Sequence, residues 1–476
     1  MLLTSLLLLP VISMVIIMFL PSHQGSIIKR IGLASSLITL WISLMLWMYL
    51  DESNVLILSA NPYYPLVFVS DGLSIFFILL TTFITPIALL SNWSNLEKES
   101  LSIKYYTVLI ILVEFLLLLV FTVTDLLLFY IFFEAILPPL FMLIGLYGSQ
   151  RKIKASFYLF LYTFLGSLFM LLSFLGIYWV TGTTNILLLK DLSITIPIQK
   201  ILWIGIFFAF AIKTPLVPLH LWLPLAHAES PLGGSVLLAG IVLKLSFYGV
   251  LRILIPILPE ASLYYTPWVY TICVITIIYS SLTTLRQIDL KVIIAYSSVG
   301  HMAICILGAF SNNLEGIEGS VLLAIAHGLV SPALFICVGG ILYDWTHTRV
   351  LNYYRGLVCY MPLFSVIFFL LTLSNIAVPF TANFLGELMI LSGSFQRMPI
   401  LAILCSSSII LSASYAIWLY IWIIYGSYSP YLSVLSDVTR REVYLVVPLL
   451  ALTILLGVRP DIVLDVLHYP VTRILY

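Results

Sequence analysis

The sequence predicts an all-α, polytopic membrane protein with about fourteen transmembrane helices. Hydrophobic residues make up 62% of the 476 residues and charged residues only 9%, which leaves too little polar surface for a water-soluble protein of this size. Apolar runs of about 20 residues, the length that crosses a bilayer, recur along the whole chain. These runs do not alternate between apolar and polar residues as the strands of a membrane barrel would, so we expect helices.

The connections between the apolar runs are short, and none is long enough to fold separately. We therefore expect residues 1–476 to form a single membrane domain. The predicted spans lie near residues 2–20, 27–50, 71–92, 105–123, 125–147, 155–180, 200–217, 233–255, 264–284, 290–310, 318–343, 362–379, 399–426 and 443–458.

Basic residues between the spans predict the orientation of the chain. The connections after odd-numbered spans hold 13 Lys and Arg residues, Lys98 and Lys291 among them, whereas the even-numbered connections and the tail hold 6. Odd-numbered connections should therefore face the compartment of synthesis, and both termini the opposite side. The first apolar run has no basic residue before it and no cleavage site after it, so we expect a retained helix. Synthesis inside a bacterium or an organelle explains such a chain most simply.

Two stretches of the chain resemble each other and predict an inverted repeat. Residues 105–255 and 264–426 each contain five spans. Three prolines interrupt the seventh span, and Pro379 interrupts the twelfth, so the corresponding helix is broken in each unit. An odd number of spans per unit inserts the second copy upside down, as in transporters whose sites lie at discontinuous helices.

Four ionisable residues lie in apolar segments where hydrocarbon is expected: Glu134, Lys213, Lys244 and Glu387. A charge at mid-bilayer costs roughly 2.5 to 3.5 kcal/mol on insertion scales, so each must face protein or water. Burial disfavours the charged form of both residue types, and a small change can then load or unload a proton. Bringing Glu134 and Lys213 together or apart would switch the lysine between its two forms. The alternative is a static ion pair that fixes helix register.

A path from Lys213 to Glu387 can be drawn through three further side chains. Lys244 could receive a proton from Lys213 through water that the broken seventh span admits. His301 and His327 could then bridge Lys244 to Glu387, because histidine relays protons near neutral pH. The alternative is that both histidines are hydrogen-bonded core residues.

Other ionisable residues are not assigned to the proton path. Glu114 also falls within a span, where it could neighbour Glu134 or pair with another subunit. Asp125 and Asp289 precede spans, and carboxylates at these positions stabilise the N-terminal ends of helices. Their expected role is structural.

Motifs for metal, nucleotide or redox chemistry are not found. His220 and His227 are seven residues apart, so a metal site would need a carboxylate from elsewhere, and we expect none. The five cysteines form no CxxC pair, and the sequence has neither GxGxxG after a strand nor GxxxxGK. We therefore expect no cofactor, metal or disulfide in this chain, and an energy source in a partner or an ion gradient.

Three segments carry a family resemblance: FYIFFEAILPPLF, KTPLVPLHLWLPLAHAESP and LLAGIVLKLSFYGVLR. They resemble the antiporter-like subunits of respiratory complex I, the H⁺-translocating NADH:ubiquinone oxidoreductase, and the resemblance extends essentially end to end. It implies a fourteen-helix proton-pumping unit in which Glu387, the terminal exchange residue, stands where related chains typically carry Lys. It also implies flavin, iron–sulfur clusters and quinone in other subunits.

The resemblance assigns roles to the remaining residues and implies a location. Glu134 and Lys213 would form the coupling pair, Lys244 the central relay, and His301 and His327 the bridging path. The implied partners are the antiporter-like chains 2 and 5, small accessory subunits and phospholipid, with no nucleic acid. The short loops and the lack of a presequence resemble a copy in the mitochondrial inner membrane, with both termini on the intermembrane-space side.

Two other readings stay open. A subunit of a multi-chain Na⁺/H⁺ antiporter would share the same motifs, and Na⁺-dependent transport would distinguish it. A structural spacer would use the buried charges only for packing, and neutral isosteres would then damage assembly and not proton movement.

Overall fold

The computed structural model describes residues 2–50, 55–57, 68–93, 103–432 and 436–475, which are predominantly helical. Within them, thirteen helices are long and apolar enough to cross a bilayer. These helices are Leu2–Phe19, Gly25–Met48, Ser74–Ser91, Ile103–Thr122, Leu126–Tyr147, Lys152–Thr181, Ile196–Lys213, Leu232–Ile257, Pro259–Thr284, Leu290–Ala309, Leu314–Thr346, Pro399–Ile424 and Arg440–Val458.

The predicted twelfth span is a shorter apolar helix, Pro362–Asn375. With it, the described residues provide fourteen candidate spans, and the prediction of an all-α membrane fold is confirmed. Lys98, one of the residues used to predict the orientation, lies outside the described residues. The inverted relation between residues 105–255 and 264–426 stays a prediction.

The eighth span, Leu232–Ile257, and the eleventh, Leu314–Thr346, form the centre of the bundle. Both are completely buried over their most apolar 18 residues, whereas Arg440–Val458 and Pro399–Ile424 are only 33% buried. The exposed faces of the outer spans are rich in Leu, Ile and Phe, which suits contact with lipid. Polar residues in the central spans must therefore find partners inside the protein.

The seventh and twelfth spans are discontinuous, as the prolines predict. The seventh comprises Ile196–Lys213 and, after a break, Trp222–Glu229; the indole N–H of Trp222 donates to the carbonyl of Ile212 at 2.8 Å. Such a bond satisfies a carbonyl that the end of the first half-helix would leave free.

The twelfth span is built in the same way. After Pro362–Asn375, the chain turns and continues as Ala382–Arg397. The side-chain amide of Asn383 donates to the carbonyl of Ser374 at 2.8 Å. In both broken spans, a side chain of the second half-helix therefore holds the end of the first.

Glycines allow the second half of the twelfth span to lie against the eleventh. A Cβ at Gly386 would lie 2.8–2.9 Å from Cβ, Cα and backbone N of Leu323. A Cβ at Gly319 would lie 3.1 Å from the carbonyl of Gly386. Only residues without a side chain permit this approach, which places Glu387 against the core.

Carboxylates cap several spans, as expected. Asp125 accepts hydrogen bonds from the backbone N–H groups of Leu127 and Leu128 at 2.9 and 3.0 Å. Asp289 accepts one from the N–H of Lys291 at 2.9 Å. Each satisfies a free donor at a helix N-terminus.

Two features have no counterpart in the predicted spans. The strands β1, Val55–Ile57, and β2, Val69–Asp71, form an antiparallel pair before the third span. The C-terminal helix Asp461–Leu475 packs on this region, where a Cβ at Gly72 would lie 2.4 Å from the carbonyl of Val466. The helix carries charged residues along one side and is too polar to read as a span.

Candidate functional site

Four ionisable side chains form a connected row through the core. Nζ of Lys244 lies 2.8 Å from Nδ1 of His327, and the ring centroids of His327 and His301 are 5.6 Å apart. Nδ1 of His301 lies 3.2 Å from Oε1 of Glu387. The row passes from the eighth span through the eleventh and tenth to the broken twelfth. The structure thus brings together four of the six predicted site residues.

Lys244 occupies a special segment of the eighth span. It lies between two π-helical turns, Leu238–Val242 and Val250–Leu254, and its side chain is 0% exposed. Nζ also donates to the carbonyl of Ala239, which belongs to the first π turn, at 2.5 Å. Because π turns widen the helix and disturb its regular bonding, they recur at functional positions. Within the described residues, Lys244 has no carboxylate partner.

The opposite end of the row borders a small polar cavity. Its lining includes Ser297, His301, Glu387 and Tyr415, and it has room for roughly one water molecule. Glu387, on the second half of the broken twelfth span, is buried against the tenth span. This end of the row therefore has hydroxyl groups around a carboxylate, which is an environment able to exchange a proton.

Lys213 and Glu134 lie near each other but do not form a direct ion pair in the described part of the chain. Nζ of Lys213 donates to the carbonyl of Phe133 at 3.1 Å and lies 3.4 Å from the centroid of that ring. Oε1 of Glu134 is buried and has no hydrogen-bond partner among the described residues. Lys213 is also the last residue of its half-helix, where the backbone carbonyls favour a cation.

No described contact joins Lys213 to Lys244. Between them the chain passes through the break of the seventh span, which contains His220. Both ring nitrogens of His220 are buried and lack a hydrogen-bond partner in the described structure, and its ring packs against Tyr279 at 5.4 Å. The predicted transfer between the two lysines therefore needs water or a side-chain movement.

His227 is a further buried residue within electrostatic range of both Lys244 and Lys291, which the sequence does not predict. His227 stacks on Phe335 at 4.6 Å and interacts electrostatically with both lysines. From the sequence alone, His227 is only a candidate metal ligand and Lys291 a residue of a connection. Lys291 is in fact buried in the tenth span, where Nζ donates to the carbonyl of Ser230 at 3.1 Å. Lys291 lies two residues after Asp289, which caps this helix, and that position is the sequence signal that assigns Lys291 to the tenth span.

Lys291 lines a polar cavity of about 180 Å³ at the end of the bundle where odd-numbered spans finish. Ser149, Ser230, Asp344 and Arg349 also line it. A cavity of this size and polarity can hold several water molecules. Water can therefore approach Lys291 from the side that carries the basic connections.

Glu114 lies apart from this row. Its carboxylate accepts a hydrogen bond from Oγ1 of Thr39 at 2.7 Å, between the second and fourth spans. The observed partner is thus a hydroxyl group of this chain, and neither Glu134 nor another subunit is needed to explain its burial.

Comparisons with known proteins identify the fold and the family. Residues 123–412 match the family described as NADH:quinone oxidoreductase/Mrp antiporter, transmembrane. NADH-ubiquinone oxidoreductase chain 4 of Mycosarcoma maydis is 49% identical over 95% of this chain and 94% of its own length. The chain 4 of Arabidopsis thaliana is 48% identical over 99% and 96%.

Solved structures give the same result. Respiratory complex I from Thermus thermophilus with bound NADH contains a chain with a TM-score of 0.88 and 28% identity, with 100% of both chains covered. A chain of the Mrp complex from Dietzia sp. DQ12-45-1b has a TM-score of 0.88 at 20% identity over 100% of both chains, which shows a shared fold. The chain belongs to the family of NADH:quinone oxidoreductase and Mrp antiporter transmembrane subunits.

Proposed function

We propose that this chain is a proton-translocating membrane-arm subunit of respiratory complex I, the NADH:ubiquinone oxidoreductase. Its relatives at 45–49% identity are named chain 4 of that enzyme. The observation that carries the proposal is the row from Lys244 through His327 and His301 to Glu387. Each residue of the row can bind and release a proton. The row lies within the membrane-spanning helices, where charged side chains are costly and mark ion or proton pathways.

The hydrogen bonds suggest how a proton moves along the row. A charged Lys244 donates to Nδ1 of His327, which must then hold its own proton on Nε2. Transfer of the lysine proton makes an imidazolium, which can release the proton from Nε2. The Nε2 atoms of His327 and His301 lack protein partners in the described structure, and one water molecule can bridge rings at this spacing. His301 then delivers a proton from Nδ1 to Glu387.

Glu134 and Lys213 would act as the trigger. Two unit charges 4 Å apart attract by about 4 kcal/mol at an effective dielectric constant of 20. Such an energy changes the protonation equilibrium of the lysine by about three orders of magnitude. In the separated form, Lys213 would keep a backbone partner such as the Phe133 carbonyl, to which its Nζ donates at 3.1 Å.

The energy and the cofactors would come from partner subunits. Moving one proton against 100 mV costs roughly 2.3 kcal/mol, so the row must be coupled to quinone reduction elsewhere in the complex. Flavin, iron–sulfur clusters and quinone would lie in those partners, with chains 2 and 5, accessory subunits and phospholipid around this one. We place it in the mitochondrial inner membrane, with both termini on the intermembrane-space side.

The alternative function is a subunit of a multi-chain Na⁺/H⁺ antiporter, whose fold is the same. Two measurements distinguish the functions: the Na⁺ dependence of proton movement, and co-purification with flavin and iron–sulfur subunits. Na⁺-independent pumping in a particle that contains those subunits supports complex I.

Replacing Lys213 by Met in the host membrane tests the proposed trigger. Because Met has a similar length but no charge, we expect assembly to survive while NADH:quinone turnover and proton translocation both fall by about 10²-fold. Lys200→Met is the control, since Lys200 lies over the ring of Tyr264, away from the row. Wild-type turnover and pumping in an assembled Lys213→Met complex would show that Lys213 is not part of the proton pathway.

A further inference from the structure

The Lys291 cavity, the polar cavity of about 180 Å³ that this residue lines, has more positive than negative charge in its lining. Lys291 and Arg349 are its cations and Asp344 is its carboxylate, whereas the other lining residues are uncharged. The side chain of Arg349 is 18% exposed, and Lys291 is buried. An ion that enters the cavity from solution therefore passes Arg349 before it reaches Lys291.

Two carboxylates close to the cavity are already compensated by Arg349. Its Nη2 atom lies 3.6 Å from Oε1 of Glu229, and its Nε atom lies 3.7 Å from Oδ2 of Asp289. The other oxygen of Glu229 accepts two hydrogen bonds from the connection after the fifth span. The other oxygen of Asp289 accepts one from the backbone N–H of Lys291. Each of the four oxygens thus faces a donor, which makes these carboxylates poor ligands for a metal cation.

The ammonium group of Lys291 has no such compensation. It donates to the carbonyl of Ser230 at 3.1 Å and forms no ion pair within the described residues. A Cβ at Gly339 would lie 2.6 Å from Cε of Lys291, so the lysine lies directly against the π-helical turn Cys337–Leu342 of the eleventh span. Lys244 also adjoins π turns, which recur at functional positions. The two buried lysines are therefore in similar surroundings, each with a carbonyl partner beside a π turn.

His227 links Lys291 with the row. It is buried within electrostatic range of both Lys291 and Lys244. Neither of its ring nitrogens has a hydrogen-bond partner among the described residues, so both are available to water molecules. A proton released by Lys291 can therefore reach Lys244 through His227 and water.

The chemistry of a lysine distinguishes a proton from a metal cation. A neutral amine binds a proton at its nitrogen lone pair, whereas the ammonium form has only hydrogen-bond donors and no acceptor for Na⁺ or K⁺. Two like unit charges about 4 Å apart, at an effective dielectric constant of about 20, disfavour joint occupancy by roughly 10³-fold. A charged Lys291 therefore repels a metal cation, and a neutral one takes up a proton and becomes charged.

We propose that Lys291 makes this entrance selective for protons: it takes up protons from water in the cavity and excludes Na⁺ and K⁺ from the row. The proton bound at Nζ leaves from the same atom toward His227, so the amine is restored for the next proton. This inference rests on the proposed function and adds to it the residue that decides which cation enters.

Proton translocation by the purified complex in proteoliposomes tests this selectivity. The initial rate of NADH-driven translocation is measured as NaCl replaces choline chloride, which keeps the ionic strength constant. The variants are Lys291→Gln, which removes the charge, and Lys291→Arg, which keeps it. Lys154→Gln is the control, because it removes the same charge from an exposed residue at the same end of the bundle, where Lys154 lies over the ring of Tyr158.

The wild type and Lys154→Gln should translocate protons at rates that do not change with Na⁺. Lys291→Gln should be slower by about tenfold, and not more, because water in the cavity can still reach His227. Na⁺ should inhibit this remaining rate at concentrations at least about tenfold below any that affect the wild type, since the repulsion by a unit charge is lost. Remaining translocation by assembled Lys291→Gln that Na⁺ does not inhibit would overturn the proposal.

Lys291→Arg separates the charge from the transfer of a proton. Arginine keeps the cation and a donor for the Ser230 carbonyl, but its guanidinium does not release a proton in proteins. We expect translocation to fall by about tenfold, as in Lys291→Gln, but without inhibition by Na⁺. A wild-type rate in this variant would overturn proton uptake by Lys291, and this result decides the matter if Lys291→Gln does not assemble.

The wild type separates a failure of this inference from a failure of the proposed function. Na⁺-dependent translocation by the wild type would contradict the proposed function itself and favour the antiporter. If the wild type pumps without Na⁺ and Lys291→Gln is insensitive to Na⁺, the proposed function stands and only the selectivity assigned to Lys291 is wrong.

Discussion

Lys244 is completely buried and has only a carbonyl and an imidazole as hydrogen-bond partners in the described structure. A lysine held by a carboxylate in a tight buried pair would stay charged, because separating the pair is costly. An imidazole is a weaker partner that can itself accept the proton. The residues around Lys244 thus permit the change of charge that a relay requires.

His327→Gln tests the step next to Lys244. Glutamine can keep the hydrogen bond to Lys244, but it cannot accept a proton at one atom and release it from another. We expect normal assembly and a fall in proton translocation of about 10²-fold, at the lower end of the range for general acid–base groups. The measurements are the rates of proton translocation and of NADH:quinone turnover, with His23→Gln, at an exposed position in the first connection, as the control.

His301→Gln should have the same effect, since His301 connects His327 with Glu387. Normal pumping by both assembled variants would show that the two histidines are only core residues, which is the alternative reading of the sequence.

The sequence was informative about some residues of the site and not about others. Lys244 and Glu387 could be predicted because a charge inside an apolar run is unusual and costly. Lys291 could not, because it lies at a span boundary, where Lys residues are common. The hydrogen-bond partners of these residues depend on how distant spans pack, which one sequence without its fold does not specify.

At the scale of elements, the broken helices determine where the charged residues lie. The break in the seventh span leaves Lys213 at the carbonyl end of a half-helix. The break in the twelfth allows Ala382–Arg397 to pack against the eleventh span and hold Glu387 near His301. Discontinuous helices supply both free backbone groups and charged sites in many transporters.

Gly386→Ala tests the contact between these two elements. The added methyl group would clash with backbone atoms of Leu323, which cannot move aside as a flexible side chain could. We expect a loss of stability of about 1–3 kcal/mol, measured by thermal unfolding, and lower proton translocation because Glu387 is displaced. Gly145→Ala is the control, since the nearest atom to its new Cβ would be 3.8 Å away. Equal effects of the two substitutions would contradict this role of Gly386.

The prediction of elements from the sequence was correct where long apolar runs and prolines determine the structure. Spans could be located within a few residues because each must be long and apolar to cross the bilayer. The C-terminal helix and the β1–β2 pair could not, since neither is a long apolar run, and both are held by contacts with distant segments. The π turns around Lys244 also have no clear mark in the sequence.

At the scale of the whole molecule, the positions of the row and of the Lys291 cavity suit proton movement both along the membrane plane and across it. Lys244 and His327 lie on the two completely buried central spans, with Glu387 toward one side. A polar cavity reaches Lys291 at one end of the bundle, and His227 lies electrostatically close to both Lys291 and Lys244. Proton uptake from the side with the basic connections would thus reach the row at Lys244.

Proton translocation by Lys244→Met tests the central claim most directly, in the assembled complex and beside Lys200→Met. Removing the only ammonium group of the row should lower both NADH:quinone turnover and proton translocation by about 10²-fold or more, while assembly and the control stay at wild-type levels. Wild-type turnover and pumping in assembled Lys244→Met would contradict the claim that this buried row carries protons.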